Sequence, residues 1–111
     1  MGYPVPNTDD IIAVRVQCPV ANRAVQLPDF EIPDDMSLVI KAWPFNVGLI
    51  QVGRSSSQAQ GVETSWPLAA NEPVAYRVEN ANHIWIAATV AGEWAVVTAE
   101  QLLQGGESDG Q

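Results

Sequence analysis

The chain has 111 residues, enough for one domain that buries roughly two-thirds of its unfolded surface. It is 47% hydrophobic and only 16% charged, which excludes a disordered segment and leaves apolar surface expected to face a partner. Thirteen acidic and five basic residues give a net charge of −8, which argues against direct binding of nucleic acid or of an anionic membrane.

Residues 1 to 10, "MGYPVPNTDD", read as an extended arm, because Pro4 and Pro6 forbid a regular helix. Tyr3 and Val5 are its apolar anchors, and Asp9 and Asp10 mark its exit to solvent. The arm lacks a basic stretch followed by an apolar one, so no signal peptide is expected. Pro6 also breaks the myristoylation pattern. "IIAVRVQC" then alternates, with Ile12, Val14, Val16 and Cys18 on one face and Arg15 and Gln17 on the other. "RAVQL" predicts a second strand, followed by an acidic loop between Pro28 and Pro33. "SLVIKAW" predicts a third, with Leu38, Ile40 and Ala42 on one face, and "GLIQV" a fourth.

The fourth strand lies in "NVGLIQVG". There Asn46 and Gly48 read as turn residues that tolerate positive φ, and Gly53 as the exit into a polar serine loop. "PVAYRVEN" puts Val74, Tyr76 and Val78 inward and Ala75, Arg77 and Glu79 outward. "HIWIAATV" offers Ile84, Ile86, Ala88 and Val90 as its inner face. Ala91 and Gly92 signal a tight turn into "EWAVVTA", so the last two strands are expected to pair as a hairpin. "TAEQLLQ" reads as a short C-terminal helical turn, and residues 105 to 111 as a flexible acidic tail.

About seven short strands, with turns marked by Pro, Gly and Asn, predict an all-β fold. The expected architecture is a single-domain antiparallel β-sandwich, jelly-roll-like, over residues 11 to 104.

The chemistry-bearing residues are few. Cys18 is the only cysteine, so it forms no intrachain disulfide and reads as a small buried residue at a strand end. His83, the only histidine, has no second histidine or cysteine near it for zinc. "DFEIPDD" packs four carboxylates into seven residues, but Pro33 stiffens it and no glycine lets it fold around calcium. The serines of "RSSSQAQG" lack a GxSxG setting and a phosphate-loop pattern. No catalytic residue, metal site or cofactor is expected. Trp43, Trp66, Trp85 and Trp94 are candidate core or interface residues, tryptophan being enriched in both settings. Trp85 and Trp94 would lie on facing strands of the expected hairpin. The alternative use of the indoles is a stacking face for sugar, which would make the chain a carbohydrate-binding module.

From residue 27 to 97 the layout resembles a pattern found in small virion proteins of tailed bacteriophages. Its marks here are Asn46, Gly48, Ile50, Val52 and Gly53, then Leu68, Glu72 and Val74. Ile84, Trp85, Ile86, Ala88, Val90, Gly92 and Glu93 complete it. The resemblance implies a capsid decoration (cement) protein or a head-fibre-like accessory protein. Such a protein is made in the host cytoplasm and held on the virion surface. It also implies a non-enzymatic β-domain, a homo-oligomer with a trimer favoured, and the major capsid protein as partner.

Overall fold

The computed structural model describes residues 13–101. Tyr3, Val5 and the rest of the expected arm lie outside that range, as do residues 102 to 111 with the acidic tail. The described strands are β1 (Ala13–Cys18), β2 (Val25–Gln26), β3 (Ser37–Ala42), β4 (Ile50–Gly53), β5 (Trp66–Leu68), β6 (Pro73–Tyr76), β7 (Trp85–Ala88) and β8 (Glu93–Glu100). A short helix, α1 (Ser56–Gln60), follows β4, and a 3-10 turn (Ala81–His83) precedes β7.

The strands form two antiparallel sheets. Sheet A has the order β1-β8-β3-β6 and sheet B the order β2-β7-β4-β5. Strand 1 therefore pairs with 8, 2 with 7, 3 with 6 and 4 with 5. The chain behaves as one long antiparallel ribbon rolled around a core, which is the eight-stranded jelly roll.

Alternation fills that core from both sides. Leu38, Ile40 and Ala42 of β3 and Ala95 and Val97 of β8 are fully buried from sheet A. Ile50 and Val52 of β4 and Ile86 and Ala88 of β7 meet them from sheet B. Val74, Tyr76 and Val78 pack against this core from the edge, as their period-two spacing requires. Cys18, at the end of β1, is also buried.

Five expectations are corrected. The turn at Gly92 is real, with φ of +85°, but β7 and β8 are not a hairpin. They lie in different sheets, and the turn carries the chain across the sandwich. Its amide donates to the Cys18 carbonyl, so the crossing is tied to β1. Thr98 to Glu100, expected in a helical turn, are the last residues of β8, because they pair with β3. The serine loop is in part the helix α1, and "WPL" is an eighth strand. Two positions on the expected inner faces, Val14 and Val90, are exposed. Val14 lies toward the open end of an edge strand, and the edge strand opposite, β2, is only two residues long. Val90 sits in the crossing turn.

The outer faces of the sheets differ. Helix α1 lies over sheet B and buries Ala59, Gln51 and Ala87 there. Ser55 caps this helix by accepting from the Gln58 amide at 3.1 Å, while the Gln58 side chain accepts from the Arg54 amide at 2.7 Å. Gly53 serves close approach: a Cβ there would stand 2.6 Å from the Ala59 nitrogen. Among the described residues, no element covers the outer face of sheet A.

Candidate functional site

Inward Leu38, Ile40, Ala95 and Val97 force Val39, Lys41, Trp94, Val96 and Thr98 outward on sheet A. The register lays these out in rows. Arg15, Val96, Lys41 and Pro73 form one row, and Ala13, Thr98, Val39 and Ala75 the next. Gln17 stands beside Trp94, and the Trp43 amide donates to the Trp94 carbonyl at 3.2 Å. The Arg15 guanidinium lies 4.6 Å from the centre of the Trp94 ring and 5.9 Å from that of Trp43. Phe45 meets Trp43 edge to face at 4.9 Å. One end of this face therefore carries an arginine between two indoles, with a phenyl ring against the second of them.

The loop after Trp43 is held out as a rigid projection. The Asn46 side chain pairs with the backbone of Trp94 as a strand would. Its Nδ2 donates to the carbonyl at 2.7 Å, and its Oδ1 accepts from the amide at 3.2 Å. The buried Glu93 carboxylate accepts from the amides of Val47 and Gly48. The Leu49 amide donates to Thr89 Oγ1 at 2.9 Å. Neither Asn46 nor Gly48 has the positive φ expected of a turn residue; only Asn22, Asn71 and Gly92 do among the described residues. Asn46 is needed for its amide. Gly48 is needed for space, since a Cβ would stand 2.5 Å from Thr89 Oγ1. Thus clamped, the loop turns Phe45 (74% exposed) and Val47 (85% exposed) to solvent.

Of the candidate interface residues, Trp43 and Trp94 come together. Trp85 lies on sheet B, opposite Gly53 and Gln26, so it does not face Trp94. Trp66 is at the sandwich edge, 59% exposed, beside a shallow groove with Pro67, Leu68, Glu72 and Pro73. The four indoles occupy three separate surfaces. Arg15 and Phe45 complete the cluster, and periodicity gives only Arg15's outward direction.

The opposite end of sheet A is acidic. The 28–36 loop is fastened to the segment after β6. Asn80 donates to Asp29 at 2.8 Å, the Ile32 amide to the Glu79 carbonyl at 2.9 Å, and the Ala81 amide to the Phe30 carbonyl at 3.0 Å. Glu31, Asp34 and Glu79 line a recess there with Ile32 and Pro33. Among the described residues, no three His, Cys, Asp or Glu side chains gather closely enough to hold a metal ion.

Cys18 is unsuited to nucleophilic work. Burial pushes its thiol up to about 11, the nearby Glu93 charge adds to the rise, and a backbone hydrogen bond with Ala88 opposes it. Burial also raises the Tyr76 phenol, against the pull of Arg54, whose guanidinium lies 5.7 Å from the ring centre. His83 is exposed at the end of its 3-10 turn. Comparison with protein-family models, with curated proteins and with solved structures gives no match.

Proposed function

We propose that the chain is a non-enzymatic structural protein of a phage particle. In this reading it is a capsid decoration protein that sits on the assembled head as an oligomer, a trimer being favoured, and binds the major capsid protein. The observation that carries the reading is the outer face of sheet A, which no described element covers, with its clamped aromatic projection. Phe45 and Val47 present apolar surface on a pre-formed loop beside half-buried Trp43 and Trp94, which lowers the ordering cost of a protein contact. The jelly roll itself recurs in viral capsid domains, and the phage-like layout of residues 27 to 97 points the same way. Weak contacts made by every subunit of an oligomer multiply into firm attachment.

The test is co-sedimentation of the purified protein with assembled phage heads. Wild type is expected to pellet with heads, and the double variant Phe45→Asp, Val47→Asp to stay in the supernatant with its fold intact by circular dichroism. Heads that bind neither protein, or both equally, refute the reading.

One observation favours a second reading, a carbohydrate-binding module: the exposed Trp66 beside a groove walled by two prolines. Quenching or a blue shift of tryptophan fluorescence on titration with oligosaccharides, lost in Trp66→Ala, would support it.

A further inference from the structure

We propose that the acidic recess of one copy receives the Arg15–Trp94–Trp43–Phe45 cluster of a second copy, joining copies head to tail. The inference rests on the reading of this face as a protein-contact surface; it assigns the cluster end of the face to a neighbouring copy, and heads are then held through the oligomer so built.

Charge is unevenly spread over the described residues. Arg15 and Lys41 stand on the bare face with apolar Val39, Val96 and Ala75 around them. Asp29, Glu31, Asp34, Asp35 and Glu79 lie at the end where β3 begins, outnumbering the one arginine there, Arg77. Trp43 follows the other end of β3. Six strand residues at about 3.3 Å each separate the two regions by roughly 20 Å. They cannot satisfy one another within a copy, but they can between copies.

The shapes and chemistry also correspond. Glu31, Asp34 and Glu79 stand around a recess with an apolar component, Ile32 and Pro33. A metal ion needs convergent oxygens, which these do not supply. A guanidinium is larger and planar. Stacked on an indole, it keeps its in-plane N–H donors for carboxylates. Phe45, beside it, offers a ring for the apolar component. A contact between two different patches is heterologous, so it closes into a ring where the rotation permits. A small ring of this kind is one route to the favoured trimer.

The experiment is sedimentation velocity on the full chain and two variants. The first is Arg15→Glu and the second carries Asp34→Asn with Glu79→Gln; all three substituted residues are exposed. Wild type should form an oligomer that weakens as salt rises from about 0.05 M to about 0.5 M. Each variant alone should associate at least about thirtyfold more weakly. Each still holds the intact partner of the other's damaged patch. An equimolar mixture should therefore give a dimer of twice 12.0 kDa and nothing larger.

A mixture that stays monomeric, a monomeric wild type at low salt, or an unaffected Arg15→Glu overturns the pairing. If Arg15→Glu does not fold, Phe45→Ala takes its place, with loss of association as the supporting result and unchanged association as the overturning one. Heads decorated by a monomeric wild type would overturn the pairing and the oligomeric part of the proposed function, and leave attachment to the head standing. The predicted dimer, formed by a protein that ignores heads, would do the reverse.

Discussion

Glu93 is the residue whose removal tests the most. It is 7% exposed at the start of β8, and its carboxylate accepts from two backbone amides, those of Val47 and Gly48, some 45 residues earlier in the chain. Glu93→Ala would leave both donors without their acceptor. A hydrogen bond to a charged group contributes about 1.5–3 kcal/mol. The projecting loop lets water reach part of the site, so the lower figure applies, and two bonds give about 3 kcal/mol. Releasing a buried carboxylate from its desolvation penalty returns part of that, which leaves a net loss of about 2–3 kcal/mol. For a domain of this size each kcal/mol moves the thermal midpoint by about 4–8 °C. The midpoint should therefore fall by roughly 10–20 °C, as measured by circular dichroism at neutral pH. Glu93→Gln keeps the shape and one acceptor oxygen and should lose about half as much. A Glu93→Ala midpoint within about 3 °C of wild type would refute the view that this carboxylate holds the loop.

Two further outcomes are expected. Gly53→Ala should destabilise by about 1–3 kcal/mol in urea unfolding, because the new Cβ would press on the α1 backbone at Ala59; equal midpoints would count against that packing. Cys18 should impose an alkaline limit. Above an ordinary thiol pKa of 9.0 the unfolded chain loses its proton, while the folded chain keeps it to about 11. Stability therefore falls from about pH 9 and levels off past about pH 11, at a loss of up to ~2.7 kcal/mol. Cys18→Ala should lack that share of the alkaline slope, and matching slopes for the two proteins would sink the argument.

The sandwich was legible where alternation was clean. Leu38, Ile40 and Ala42, and Val74, Tyr76 and Val78, point inward as their spacing requires. Elsewhere the local signals hold but do not carry the long-range connections. Ala91 and Gly92 do make a tight turn, yet turn chemistry says nothing about which sheet the next strand enters. Pro67 interrupts "WPL", so a three-residue strand was missed, and a helix of five residues is too short for a 3.6 period to show. Its capping signal, Ser55 followed three residues later by Gln58, was present in the chain. The candidate site was half legible. Trp43 and Trp94 drew attention by residue type. Phe45, and the clamp of Asn46 and Glu93 that displays it, depend on contacts across more than 40 residues that no local pattern carries.

The pairing of β1 with β8 bears on how the protein comes into being. Strand β8 is the last described strand to leave the ribosome, yet it lies between β1 and β3 and hydrogen-bonds both. Until it arrives, those two strands have no common neighbour, and the apolar sides of Leu38 and Ile40 lack Ala95, Val97 and Ala99 to lie beside. Sheet A is thus completed only once β8 has emerged, and its pairings link distant parts of the chain, which makes for slow folding. During that interval β1 and β3 are open templates for a wrong strand. A chaperone that covers those open edges during the interval should raise the yield of folded protein.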